Sequence, residues 1–311
     1  KMLYDNSQLA RVYWHAWQAW GDPYYRRVTV AILDYVLREM THRGGGFYST
    51  PDADSEGGEG KFFFWTVEEV RLILDDEAIL FTEVYGVTPH GNCDEHHLPP
   101  GQNILSIVAE PEAVAKKNGL SPEQLDVILD EARVKLFDVR EQRVKPGRDE
   151  KILAAWNGLL LAAFAEAARD RSLGQRAENY RLAAEHNAEF LLREMRTAHG
   201  RLLRAWKDGQ AKLNGYLEDY ACVIEGLLEL YQTTFDEKLF VAARELADAM
   251  LQHYADPAGG FFDTSDDHET LVTRPKDLQD NAVPSGNAMA ATVAIVTRIS
   301  SWRFPRSSPA S

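Results

Sequence analysis

The sequence predicts an all-α chain: an incomplete (α/α) toroid of helical hairpins with short β-hairpin insertions. Three observations carry this. Apolar residues recur at helical spacing along nearly all of the 311 residues. Helices that are apolar almost all round alternate with amphipathic ones, which sorts them into a buried inner ring and a half-wet outer ring. A glycine-led segment also returns after each second helix, as Gly45-Gly46-Phe47, Gly200-Arg201-Leu202 and Gly259-Gly260-Phe261. Repeated units of this kind bury their apolar faces only by stacking.

The elements follow in order. Residues 1–42 read as a hairpin turned by Gly21-Asp22-Pro23, with proline suited to the first turn of its second helix. Residues 66–142 read as a hairpin with an insertion. Thr66-Val67-Glu68-Glu69 is a capping box opening a helix to about Tyr85, Asn103–Val108 reads as a short strand, and Ser121-Pro122-Glu123 opens a helix to about Gln142. Lys145-Pro146-Gly147 reads as a turn rather than a domain linker. In 151–197, Ile152, Leu153, Trp156, Leu159, Leu160, Ala163 and Phe164 make a wholly apolar helix, joined through Arg171–Gly174 to an amphipathic one. Residues 216–255 repeat that pair. A lone helix spans 285–301, and 303–311 reads as a disordered tail. The expected arrangement is thus one partial toroid over 1–302.

Charge and composition exclude several functions. Thirty-four Lys+Arg against 48 Asp+Glu give a net charge of −14, which disfavours nucleic acid and anionic membrane as partners. No apolar run reaches the length of a membrane span. Two cysteines, Cys93 and Cys222, make no disulfide framework, so the expected compartment is the cytoplasm.

The strongest local signal is Asp52-Ala53-Asp54-Ser55-Glu56-Gly57-Gly58-Glu59, an acidic glycine-rich loop followed by Phe62-Phe63-Phe64-Trp65. It supports two readings: carboxylates serving as general acid and base with Trp65 as a stacking platform, or a turn whose aspartates bond their own backbone. An EF-hand is excluded because Phe63 stands where the twelfth ligand belongs. The inner helices start with polar residues: Asp5-Asn6, Lys151 before Trp156-Asn157, Glu218-Asp219, and Ser285-Gly286-Asn287. In a toroid these starts converge on one mouth, although N-capping explains such residues too. Arg274-Pro275-Lys276-Asp277 is a charged loop suited to an anion. His90–His97 matches no zinc spacing, so no metal and no cofactor are expected. His15 reads as a core histidine and Cys222 as inert packing.

The order KMLYDN, GGGFYSTPDADSEGGEGKFFFW, GQNIL, DEKILAAWNG, YLEDYA, GGFFDT, RPKDLQDNAVPSGNAMAA resembles the thioredoxin-domain-containing family typified by bacterial YyaL and animal spermatogenesis-associated protein 20. The resemblance covers the chain to about Ser300. It implies a toroid similar to six-hairpin glycosidases and to N-acylglucosamine 2-epimerase, preceded in the family by a thioredoxin-like domain that this sequence lacks. The expected function is carbohydrate-directed acid/base chemistry, with Asp52, Asp54, Glu218 and Asp219 catalytic. Asp5, Asn6, Glu56, Trp65, Lys151, Trp156, Asn157, Arg274 and Asn287 are then expected to bind a carbohydrate or other small polar ligand. The alternative is a non-catalytic module presenting partners or substrates to the thioredoxin-like domain.

Overall fold

The computed structural model describes residues 1–92, 100–269 and 272–301. The helices are α1 (Leu3–Trp20), α2 (Pro23–Glu39), α3 (Val67–Leu74), α4 (Ala78–Tyr85), α5 (Pro111–Lys117), α6 (Pro122–Arg140), α7 (Ala154–Ala167), α8 (Gln175–Glu194), α9 (Leu217–Thr234), α10 (Glu237–Tyr254) and α11 (Gly286–Ser301). Short strands join them: β1 (Thr50–Pro51), β2 (Asp54–Ser55), β3 (Gly58–Glu59), β4 (Arg148–Asp149), β5 (Ile152–Leu153), β6 (Leu203–Lys207) and β7 (Gln210–Asn214). The expected tail at 303–311 lies outside the described residues, as does most of the histidine-rich loop, including Cys93.

The chain forms two compact units, residues 1–51 with 148–311, and residues 52–147. This differs from the expectation of one body that includes 66–142, with Lys145-Pro146-Gly147 a turn rather than a domain linker. Instead that turn ends at the border between the units. The ends of the second unit meet there: the Asp52 N–H donates to the Gly147 carbonyl at 2.6 Å, and within the first unit Pro51 pairs with Arg148 across the β1–β4 ladder.

The first unit has the two-layer (α/α) plan. In the inner row α1 packs on α7, α7 on α9, and α9 on α11; in the outer row α2, α8 and α10 each back their own inner partner. The reason is compositional. From Leu159 to Phe164 every residue of α7 is buried, whereas α10 buries mainly Ala242, Ala243, Leu246, Ala247, Met250 and Tyr254 along one face. The most intimate pair is α7 with α9, and glycine permits it. A methyl group on Gly158 would lie 2.4 Å from the Cys222 backbone carbon, and one on Gly226 would lie 2.7 Å from the Gly158 carbonyl oxygen.

The repeat seen in the sequence recurs atom for atom. Thr41 bridges to Phe47, Arg196 to Leu202 and Ala255 to Phe261. The next N–H of each copy, on Tyr48, Leu203 and Phe262, donates to the last turn of the outer helix at Met40, Met195 and Tyr254, 2.8 Å in all three. Leu203 to Lys207 then continues as β6, which pairs with β7 on one side and β5 on the other.

The second unit has its own core, built from Trp65, Val70, Leu74, Phe81, Val84, Leu125, Leu129 and Leu136. The predicted capping box is present: Thr66 accepts from the Glu69 N–H at 3.2 Å while Glu69 accepts from the Thr66 N–H at 2.8 Å. The single helix expected from 66 to 85 is broken by Asp75, whose φ of +47° no helix continues. The strand expected at Asn103–Val108 reduces to one bridge between Asn103 and Trp65. Ile104, Ile107 and Val108 are largely exposed, so β-type side chains there have no sheet face to cover.

Candidate functional site

The starts of α9 and α11 meet the third copy of the glycine-led segment. The Leu217 N–H donates to the Asp263 carbonyl at 2.9 Å, which pins the first turn of α9 beside Asp263. Between them lies a pocket of about 330 Å³ lined by Tyr216, Glu218, Asp263, Asp277, Gln279 and Asn281, among others. Three carboxylates, a phenol and two amides thus face one small volume. Such a lining suits a hydroxylated ligand better than an apolar one.

The carboxylates sit in different environments. Glu218 is held by Arg204 of β6, whose Nη1 donates to Glu218 Oε1 at 2.8 Å. The same guanidinium lies over the Tyr216 ring, 4.3 Å from its centroid. Asp263 accepts from the Asp277 N–H at 2.9 Å. Burial raises its pKa above the ordinary carboxylate value, and the nearby charges of Asp277 and Glu218 raise it further, against that one hydrogen bond. The pocket therefore pairs a carboxyl biased toward its protonated form with a carboxylate fixed by a cation. That difference is what general acid/base work on one substrate needs.

Asp219, expected beside Glu218 as a catalytic group, faces inward. It is 1% exposed and accepts from the Tyr216 N–H at 2.8 Å, the Ala155 N–H at 2.9 Å and Arg204 at 3.0 Å. One carboxylate thereby caps both α9 and α7. Burial pushes its pKa up to about 6, despite Arg204 and the two N–H donors.

Other expected ligand residues also act within the protein. Asn157 is fully buried; it accepts from the Phe47 N–H at 2.8 Å and donates to the Phe47 carbonyl at 3.0 Å and the Leu153 carbonyl at 2.9 Å. Asn287 does the same two repeats on, accepting from Phe261 N–H at 2.8 Å and donating to the Phe261 and Asp277 carbonyls at 3.0 Å. Both are clamps on the glycine-led segment rather than open hydroxyl binders. Trp156 packs edge-on against Tyr4, centroids 4.8 Å apart. Lys151 pairs with Asp149 at 3.1 Å. Asn6 donates to the Met2 carbonyl at 2.7 Å, and Asp5 is exposed in the first turn of α1. Arg274 donates to the Thr264 carbonyl and lies over the Phe262 ring at 4.1 Å, so it braces its own loop instead of offering an anion site. His15 is corrected: its side chain is 56% exposed, although its Nε2 lies 2.8 Å from Oε2 of the buried Glu166. Cys222 is buried, and its thiol pKa is driven well up by that burial.

The acidic loop belongs to the second unit. Asp52 and Asp54 are exposed, and Asp52 Oδ1 accepts from the Asp54 N–H at 3.3 Å, the backbone-bonded turn. Glu56 pairs with Lys61 at 3.1 Å on the wall of a pocket of about 590 Å³ shared with Glu59, Glu69 and Arg143. Trp65 offers no platform, being 2% exposed with the Arg143 guanidinium 4.0 Å above its ring. The four expected catalytic carboxylates are thus divided between the two units.

Arg204, Asp263 and Gln279 are among the site residues that sequence reasoning missed. Asp263 carried a usable signal, since it closes the third copy of the repeated glycine-led segment, Gly259-Gly260-Phe261-Phe262-Asp263. Arg204 carried none, because only the β6 pairing turns it toward α9. Among the described residues His253, Asp266 and Asp267 cluster closely enough to hold a metal ion. Asp267, however, is taken by both Arg201 nitrogens, at 2.6 and 2.9 Å, leaving a poor ligand set.

Fold and site together define an α/α helical-hairpin protein with a carboxylate-lined pocket at the starts of its inner helices. Solved structures align along the chain at low identity: a sugar epimerase from a ruminal bacterium (13% identical, 96% of this chain and 88% of that one, TM-score 0.38) and a glycoside hydrolase of family 105 from C. acetobutylicum (12%, 98% and 73%, TM-score 0.42). No family model matches. Over 94% of its length the chain is homologous to spermatogenesis-associated protein 20, 38% identical to that of Homo sapiens and 37% to that of Mus musculus. An uncharacterised protein of Caenorhabditis elegans is 28% identical over the same share. The chain spans about 40% of the length of the two mammalian relatives.

Proposed function

We propose that this region carries out acid/base chemistry on a small hydroxylated substrate, carbohydrate-like in character, in the pocket between α9 and α11. The observation that carries it is the pairing of Asp263 with Glu218. Asp263, biased toward its protonated form, donates a proton to a leaving or ring oxygen. Glu218, held by the Arg204 guanidinium at 2.8 Å, takes one from a hydroxyl or from water. Tyr216, Gln279 and Asn281 line the same pocket and offer a phenol and two amides to its hydroxyls. The test is turnover of a panel of glycosides, reducing sugars and sugar acids by the chain and by the intact relative. Glu218→Gln and Asp263→Asn are each expected to cut kcat/KM by about 100-fold or more, with the thermal midpoint little changed because both carboxylates line an open pocket. Full activity in both variants would remove the site from consideration.

A second reading has its own support: Asp219, Asn157 and Asn287 are all committed to backbone partners, as in a module that binds without reacting. Under that reading the pocket still binds the hydroxylated ligand, but product never appears at any enzyme concentration. Calorimetry on the same panel separates the two.

A further inference from the structure

The carboxylate pocket holds one acid that the proposed proton transfers do not use. Asp277 lines it together with Glu218 and Asp263, and it is exposed to solvent. Its backbone is fixed on both sides. The Asp277 N–H donates to Asp263 Oδ2 at 2.9 Å, and the Asp277 carbonyl accepts from Asn287 at 3.0 Å. Its Oδ1 accepts from the Gln279 N–H at 3.0 Å. Asp277 is thereby held beside Asp263, while no cation pairs with its carboxylate among the described residues.

The basic residues around the pocket are engaged elsewhere. Arg274 and Lys276 flank Pro275 of the pocket wall, yet both turn to Phe262. Arg274 donates to the His253 and Thr264 carbonyls and lies 4.1 Å from the Phe262 ring centroid. Lys276 pairs with Asp256, donates to the Gly259 carbonyl at 2.7 Å and lies 5.1 Å from the same centroid. Arg204 is divided between Glu218 at 2.8 Å and Asp219 at 3.0 Å. His268 meets the Tyr216 ring edge-on, 5.8 Å between centroids. Among the described residues no lysine, arginine or histidine lines the pocket. The field this leaves is felt at Asp263, whose pKa is raised by burial and then by the charges of Asp277 and Glu218, with no cation acting against them.

We propose that this pocket selects hydroxylated substrates bearing a free ammonium, as an amino sugar does, and that Asp277 is the residue that specifies it. The inference rests on the reading of the pocket as a site for a hydroxylated substrate and names the class of that substrate. An ammonium donates to Asp277 in a charge-assisted bond and offsets the neighbouring acids at the same time. A hydroxyl in its place donates a hydrogen bond but brings no charge. A carboxylate, as on a sugar acid, meets three acids with no cation in the lining, which is a like-charge juxtaposition. Asp277 stays outside the proton transfers, which Asp263 and Glu218 serve; it determines which substrate is held.

The test uses three sugars of one ring plan, glucosamine, glucose and glucuronate. They are titrated into the whole chain near pH 6, where the amine is protonated, and binding is followed by calorimetry and ligand-observed NMR. Glucosamine is expected to bind about tenfold more tightly than glucose, and glucuronate more weakly than glucose. Asp277→Asn keeps the Gln279 contact through its amide oxygen and should bring the affinity ratio of glucosamine to glucose down to about one. Glu237→Gln removes the same charge from the exposed start of α10 and should leave the ratio where it was. Glucose binding as tightly as glucosamine, a preference for glucuronate, a ratio unmoved by Asp277→Asn, or one moved equally by Glu237→Gln would each overturn the proposal and leave the acid/base reading standing. Failure of all three sugars to bind would remove both.

Discussion

Asp219 shows how much one side chain holds together. Its carboxylate joins the first turn of α9, the first turn of α7 and Arg204 of the intervening hairpin, so two repeats share one acceptor. Its folded pKa, about 6, lies above the ordinary 3.8, which means the folded chain holds the proton more tightly than the unfolded chain does. Stability from this group is full below pH about 4 and is lost as pH rises to about 6, at about 1.4 kcal/mol per unit. Asn at this position does not titrate. The stability of the parent chain minus that of Asp219→Asn should therefore fall by roughly 2 kcal/mol between pH 4 and pH 6.5. Urea unfolding at four pH values measures this; a flat difference would show that Arg204 and the N–H donors cancel the effect of burial, and a rising one that they outweigh it. Asn157 and Asn287 are comparable fixtures. Each amide bonds both backbone groups of one Phe, so a single side chain completes an extended segment that has no strand beside it at that point.

At the scale of elements, the decisive contact is the crossing of α7 and α9. Gly158 faces the Cys222–Val223 peptide, and Gly226 faces Gly158. Glycine within a helix ordinarily costs stability, but here the close approach of the two backbones recovers that loss through packing. Gly158→Ala improves local helix propensity and still should destabilise the first unit by about 3 kcal/mol, since the methyl overlaps main chain that has no rotamer to move into. A thermal or urea midpoint at or above the parent value would show that the helices separate more easily than the packing implies. Changing an exposed residue of the amphipathic α10, such as Glu237, should by comparison move the midpoint little.

At the scale of the whole molecule, two cores matter. The second unit enters and leaves at adjacent points: Pro51 and Arg148 are ladder partners, and Asp52 bonds Gly147. Its apolar cluster consists of residues from Trp65 to Leu136 alone. Replacing residues 52–147 by an Asn-Gly turn should leave the first unit folded, because β1 and β4 then become a plain two-residue hairpin. Circular dichroism should show a helical chain with one cooperative thermal transition. A molten chain without a transition would show that the first unit draws its stability from more than its own core.

The sequence by itself determined the helical class, the pairing of apolar with amphipathic helices and the glycine-led repeat, because all three are periodic features of local composition. The caps at Thr66 and Ser121 were legible for the same reason: each satisfies N–H groups within three residues. Tertiary structure alone decided which polar residues face open space. Glu218 and Asp219 are neighbours in the chain, yet one lines a pocket while the other is buried between helices, since a helix turns about 100° per residue. Asn157 is polar inside an apolar run for a backbone partner 110 residues away. Arg204 reaches Glu218 only through strand pairing, and Arg11, Glu166 and Glu225 converge from three helices. Such meetings depend on long-range packing, on which local spacing carries no information.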